Sequence, residues 1–439
     1  MNTAISNIKS RINNSKLIKG FVATVLGSTS SKIILVIATF ISSNCLGKME
    51  FGEFSFVRNT LNMILCICAL NFSALCTKFT IEAKESLTSL HRLFLLFLFS
   101  FAICCIIGLT LIFTPQQILI KLLSTETVVF FFKIIGLFLP FIMLQPLIEG
   151  ILRGLQRFKI ISILQIVSSC FYLIAIYIGI KIGKLNGALI GIILYYLLYS
   201  VICCIFLFKK SSIKDYYIKL RGFTKELHII YTMILPLFLM SFIDAPIMWI
   251  AQVLLSKYGT MEAIGSMTAI MQIRNLAMLI PSYFSNTYIA FAGELNSQKK
   301  YDEYYIQYKK ITKIYLFIGI GMFLVFSILS QPILFLYGKD FITDWPVMII
   351  SNIAIPITML IGILRIDLLL KEHQQYLLYT SIIWNTIWIA TMYFMISLDI
   401  DPLYSFFISQ NIGAIVFILA LYIKYSKERK TFYKIKKGS

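Results

Sequence analysis

Charge is scarce in this chain. Only 14% of its 439 residues are Asp, Glu, Lys or Arg, whereas about a quarter is usual for a soluble protein. Acids are scarcer still, 20 against 40 Lys and Arg, which leaves a formal net charge of +20. Histidine is nearly missing: His91, His228 and His373 are the only three, and each falls in or beside a connecting segment. An intramembrane enzyme built on a histidine base therefore has no evident candidate. The nine cysteines lie between Cys45 and Cys204 with no Cys-x-x-Cys spacing, so they read as small apolar side chains of helices, not a metal or redox centre. Short alternating segments of the kind that build a β-barrel are absent. Long polar stretches are absent too, leaving no room for a soluble catalytic domain. The reading is of a protein that is not an enzyme and uses no metal or cofactor.

What the sequence has instead is apolar length. Hydrophobic residues make up 59% of it, and runs of about 20 residues, enough to cross roughly 30 Å of hydrocarbon as helix, recur along the whole chain. Twelve spans are expected, at roughly 20–44, 53–76, 93–113, 128–151, 160–180, 187–208, 229–256, 262–290, 312–332, 346–370, 377–397 and 403–423. The fold class is thus an all-α polytopic membrane protein. Lys and Arg collect on the cytoplasmic side of such proteins. With both termini cytoplasmic, 29 of the 40 basic residues lie in inner segments and six in outer loops. The basic start (Lys9, Arg11, Lys16, Lys19) resembles a signal peptide, but the apolar stretch after it is too long and holds Lys32, so it reads as an uncleaved first span. The basic tail SKERKTFYKIKK faces anionic lipid in this topology, with no need for nucleic acid as its partner.

The chain also repeats itself. Gly47-Lys-Met-Glu, a second glycine at 52 and Arg58-Asn59 are echoed by Gly259-Thr-Met-Glu, Gly265 and Arg274-Asn275, with the leading glycines 212 positions apart. LPFIML at Leu139–Leu144 returns as IPITML at Ile355–Leu360, 216 positions later. Offsets near half the length imply two six-helix lobes, residues 1–210 and 229–439, joined by a cytoplasmic linker at 211–228. Six is even, so the lobes are parallel repeats around a central cavity. Gly47 and Gly259 are expected as left-handed C-caps of outgoing helices, and Gly52 and Gly265 near the starts of the next, each set forming a tight outer hairpin.

Five basic residues remain inside the spans: Lys32, Arg58, Lys133, Arg274 and Arg365. Each costs about 2.5 to 3.5 kcal/mol at a helix centre facing lipid. Lys133 and Arg365 are about five residues from a span end, where they either snorkel to the interface or line the cavity. Lys32 and Arg274 are near mid-span and must face protein or water; Arg58 is intermediate. Bases outnumber acids at mid-membrane, and a cationic cavity suits an anion such as a phosphate or pyrophosphate. Asp244, between Pro236 and Pro246 in span 7, is either a site for a coupling proton or Na+ or a counter-ion to Lys32 or Arg274.

LGKMEFGEFSFVRN at the first outer hairpin, the basic residue in span 1 and GILRGLQRFK after span 4 resemble the polysaccharide exporters of the multidrug/oligosaccharidyl-lipid/polysaccharide (MOP) superfamily, most closely the O-antigen flippases of the Wzx type. The resemblance covers nearly the whole chain. It implies transport of an undecaprenyl-diphosphate-linked oligosaccharide across the bacterial inner membrane, with a polysaccharide polymerase and a chain-length regulator as partners. In related lipid II flippases cationic residues of spans 1, 2 and 8 line the cavity, and Lys32, Arg58 and Arg274 match them by span. A drug-cation exporter of the same superfamily is expected to show carboxylates outnumbering bases within the membrane. An O-antigen polymerase would need a large outer loop and an acyltransferase an embedded histidine, and the sequence has neither.

Overall fold

A computed structural model describes residues 2–438, except 71, 84–86, 124–125, 210–225, 372 and, within 280–299, all but 281, 288 and 292. Side chains are described for a smaller set, from which Asp244 is absent. Among the described residues there is helix and no strand.

The chain runs through α1 (Asn2–Leu65), α2 (Ser73–Glu82), α3 (Leu87–Phe113), α4 (Gln116–Leu123), α5 (Glu126–Ile142), α6 (Leu144–Gly154) and α7 (Phe158–Lys209). It continues through α8 (Leu235–Tyr258), α9 (Met261–Ala277), α10 (Tyr301–Ile328), α11 (Ser330–Phe335), α12 (Trp345–Asn352), α13 (Ala354–Leu370), α14 (Gln374–Ser397) and α15 (Pro402–Gly438). Among the described residues, seven stretches are long and apolar enough to cross a membrane. Two of them hold two expected spans each: Leu26–Glu82, broken at Gly47, and Phe158–Ile205, broken at Gly183 and Lys184. Side chains such as Phe113, Ile182 and Phe317 are about four-fifths exposed, the inverse of a water-soluble surface and the pattern of helices that meet lipid. The protein is an all-α, multi-pass membrane protein.

Two compact units divide the chain. The first comprises Met1–Leu46 and Glu53–Ala245, the second Gly47–Gly52 and Pro246–Ser439. The expected linker 211–228 lies mostly outside the described residues, and the division falls further on, inside α8. The Phe238 ring, early in α8, meets Phe99 of α3 edge-on at 5.8 Å, which ties that half of the helix to the first unit. In the first unit α2 packs on α6, α3 on α5 and α7 on α5 and α6; in the second α14 packs on α15, and α13 on α10 and α15.

The recurring glycine motif has a different explanation from the one expected. Gly47 is a left-handed break, with φ 78° and ψ 170°, a conformation open almost only to glycine. Gly259 is not left-handed; the helix start there comes from Thr260, whose hydroxyl accepts the Ala263 N–H at 3.2 Å. Gly265 lies a full turn inside α9 instead of at its start. The second pair of glycines serves close approach. A Cβ on Gly52 would sit 1.8 Å from the Met261 carbonyl oxygen and 3.2 Å from Gly265 N, and one on Gly265 would sit 2.7 Å from the Lys48 carbonyl oxygen. The two copies of the motif therefore pack directly on each other, backbone to backbone. Lys48 completes the contact, pairing with Asp344 at 2.7 Å and donating to the Asp340 carbonyl at 3.2 Å, while Ser266 donates to the same Asp344 carboxylate. Phe51 sits against the Tyr337 and Phe341 rings.

Candidate functional site

Arg274 is the most constrained of the five basic residues singled out by sequence. It lies in the last turn of α9, where the carbonyl end of a helix favours a cation. Ten of that helix's seventeen residues are buried, so α9 is held on most sides and the direction of the Arg274 side chain is fixed with it. The guanidinium Nη1 donates to Ser351 Oγ of α12 at 3.2 Å and to Gln410 Oε1 of α15 at 2.7 Å. The ring of Phe407, one turn before Gln410, lies 5.9 Å from the guanidinium carbon, within cation–π range. Three helices of the second unit thus meet on one arginine, and every partner they bring is neutral.

The remaining expected site residues are placed more loosely. Lys32 and Arg58 belong to α1 in the first unit. Lys32 is exposed and pairs with no described residue. Arg58 is half-buried, with its guanidinium 5.7 Å from the Phe54 ring centroid one turn earlier. One turn beyond it, Asn62 accepts from the Tyr196 hydroxyl at 3.0 Å. Lys133 in α5 is half-buried and Arg365 in α13 is exposed, each without a described partner. Asp244 is helical in backbone, in the turn before Pro246 of α8; its side chain is outside the description.

Glu149 and Asp367 are buried carboxylates that escaped the sequence reading. Glu149 in α6, 8% exposed, is bound by Tyr199 at 2.5 Å and by Arg153 four residues on at 3.2 Å. Asp367 in α13 is fully buried; Tyr304 donates to one oxygen at 2.6 Å and Lys371, again four residues on, pairs with the other at 2.9 Å. The ammonium of Lys371 is also enclosed by the Tyr304, Tyr305 and Tyr425 rings at 5.9, 5.2 and 5.4 Å. The signal was available: an acid, a base four positions later, and the pair recurring 218 residues on, close to the 216 of the LPFIML echo. Counting only bases within spans hid it.

These contacts sort the buried charges by what they can still do. Glu149 and Asp367 are each satisfied by a base and a phenol, whereas Arg274 has its charge uncompensated by any described acid. A half-buried guanidinium with neutral acceptors keeps both its charge and spare N–H groups, the chemistry an anion would need. A cavity of about 630 Å³ in the first unit, lined by Phe141, Leu144, Leu197, Ser200, Val201, Cys204 and Ile205, has no charged side chain and offers such an anion nothing.

Known structures share this fold at low identity. An inward-facing multidrug resistance transporter of the MATE family, in the MOP superfamily, is similar with a TM-score of 0.75 at 14% identity, over 93% of this chain and 96% of that one. The lipid II flippase MurJ in its inward closed conformation gives 0.68 at 16% identity, over 93% and 87%. A MOP-superfamily transporter from Pyrococcus furiosus, with a binding pocket described as reversed in polarity, gives 0.63 at 15% identity, over 93% and 96%. No curated protein matches the sequence. The sequence does match a family over residues 17–289, well over half its length. The chain belongs to the polysaccharide biosynthesis protein family.

Proposed function

We propose that the protein is a flippase that carries an undecaprenyl-diphosphate-linked O-antigen repeat unit, or a related polysaccharide unit, from the cytoplasmic to the periplasmic leaflet of a bacterial inner membrane. Its termini are cytoplasmic and it works by alternating access. The observation that carries the reading is Arg274, a half-buried cation whose hydrogen-bond partners among the described residues are neutral. Family membership supports a role in polysaccharide assembly. Arg274 grips the pyrophosphate, Lys32 and Arg58 assist, and the polyprenyl tail stays in lipid. Asp244 serves as a coupling site for H+ or Na+ or as a counter-ion. A polymerase and a chain-length regulator act on the delivered unit. A drug-cation antiporter would need an uncompensated carboxylate, a role that Glu149 and Asp367, each paired with a base, do not fill.

The test is complementation of a flippase-deficient strain, with membrane abundance measured in parallel. Arg274→Ala loses an interaction with a charged group worth about 1.5 to 3 kcal/mol, so surface polysaccharide falls roughly tenfold or more at equal abundance. Lys32→Ala lowers it less on its own and abolishes it in combination. Lys133→Ala and Arg365→Ala serve as controls and retain most transport. Normal surface polysaccharide with Lys32 and Arg274 both replaced by alanine sinks the proposal.

A further inference from the structure

Arg274 is held by described acceptors at one end of its guanidinium only. Nη1 carries two hydrogens, and its two acceptors are Ser351 Oγ and Gln410 Oε1. A guanidinium has five N–H groups, so those on Nε and Nη2 are left, and none has an acceptor among the described residues. They include the Nε–Nη2 edge, where two parallel hydrogens match two oxygens of one phosphate. Arginine only donates, so Gln410 must turn its amide oxygen toward it, which leaves the amide nitrogen as a further donor. Ser351 is fully buried and Gln410 is 9% exposed, so neither acceptor is free to drift. Phe407, on the same helix face as Gln410, limits the guanidinium from a second direction.

We infer that Gln410, with Ser351, is the positioning residue that sets both the orientation and the charge of Arg274. It holds the guanidinium by Nη1 with a neutral oxygen and so presents the Nε–Nη2 edge, at full charge, to a diphosphate. Glutamate at 410 would keep the shape and the hydrogen bond but would cancel the charge; a single change of NH2 to O would turn an anion site into a closed ion pair. The inference rests on the flippase reading, in which Arg274 meets the diphosphate.

The test uses the purified full-length protein in detergent with geranyl diphosphate as the probe, titrated calorimetrically, and thermal unfolding without probe as the check on folding. Arg274→Ala and Gln410→Glu are each expected to weaken binding by at least about tenfold. Gln410→Glu does so with an unfolding temperature equal to or above that of the unsubstituted protein, a combination that a merely structural role for Gln410 does not give. Gln410→Met, which loosens the arginine but keeps its charge, weakens binding less than Gln410→Glu. If Arg274→Ala loses the probe and Gln410→Glu keeps it, the positioning role is overturned and the flippase reading stands. If the unsubstituted protein fails to bind, or Arg274→Ala binds as well as it does, the reading itself is overturned and the inference falls with it. Ser351→Asp places the same charge beside Nη1 and decides the question should Gln410→Glu fail to fold.

Discussion

At the scale of single residues, the buried charges of the second unit follow opposite rules. Asp367 is fully buried and Lys371 has a side chain 19% exposed, so removing either leaves the other unpaired in a poor solvent. Breaking such a pair costs about 3 to 5 kcal/mol, while replacing both partners with apolar groups of similar size is often close to neutral. Asp367→Leu is therefore expected to lower the unfolding temperature in detergent sharply, and Lys371→Met added to it to recover most of the loss. The recovery is what separates a charge effect from a packing effect; two losses that simply add would refute the pairing argument. Arg274 should behave differently, because no described acid pairs with it. Arg274→Met is predicted to be nearly as stable as the unsubstituted protein while transport is lost, and a large fall in unfolding temperature would count against its assignment to binding.

At the scale of elements, most of the helices were legible from apolar length, and the motif echoes pointed to equivalent places in the chain. What could not be read was which surfaces touch. Gly-x-Met-Glu occurring twice indicates two similar turns; nothing in one dimension says that Gly52 of one copy is laid on Met261 and Gly265 of the other. Gly259 shows the opposite failure, since a helix end followed by glycine suggested a left-handed cap where Thr260 does the capping. Asp367 and Glu149 were missed for a third reason: the acid with a base one turn later, and its recurrence, stand in the sequence, but only bases inside the spans were weighed, and the phenol that completes each site comes from a distant helix. The glycine contact yields a graded prediction. In Gly52→Ala the Cβ meets a backbone oxygen at 1.8 Å, which no side-chain movement relieves. Overpacking of this kind costs about 1 to 3 kcal/mol or more. Gly47→Ala meets no atom within 4 Å, and its cost is backbone strain alone, about 1 to 3 kcal/mol. Gly362→Ala, helical and with open space around it, is expected to be neutral or slightly stabilising. Membrane abundance and unfolding temperature should place Gly52→Ala lowest and Gly362→Ala highest; equal behaviour of Gly52→Ala and Gly362→Ala would show that the two motif copies do not touch.

At the scale of the whole molecule, the skewed placement of Lys and Arg from which the topology is read has an energetic counterpart in the membrane potential. In the flippase reading the protein's own cations move little relative to the membrane field, whereas the diphosphate crosses it. Each negative charge carried outward across a potential of 100 mV, inside negative, gains about 2.3 kcal/mol. By the relation between free energy and equilibrium constant, that is roughly forty- to fiftyfold in distribution per charge. The membrane potential alone is then sufficient as a driving force, and a coupled ion becomes an addition. Proteoliposomes loaded with a short-chain lipid-linked sugar, with a potassium diffusion potential imposed by valinomycin, separate the two contributions. Movement toward the positive side should increase with the potential at constant pH and without Na+, and reversing the potential should slow it. If Asp244 couples a proton, Asp244→Asn abolishes the extra drive supplied by a pH gradient and leaves the response to potential intact. If Asp244 is only a counter-ion, the pH gradient adds nothing even before the substitution. Transport that ignored the potential altogether would mean that the headgroup's charge is compensated during the crossing by ions moving with it, and the picture of fixed cations handing a diphosphate across the field would have to be given up.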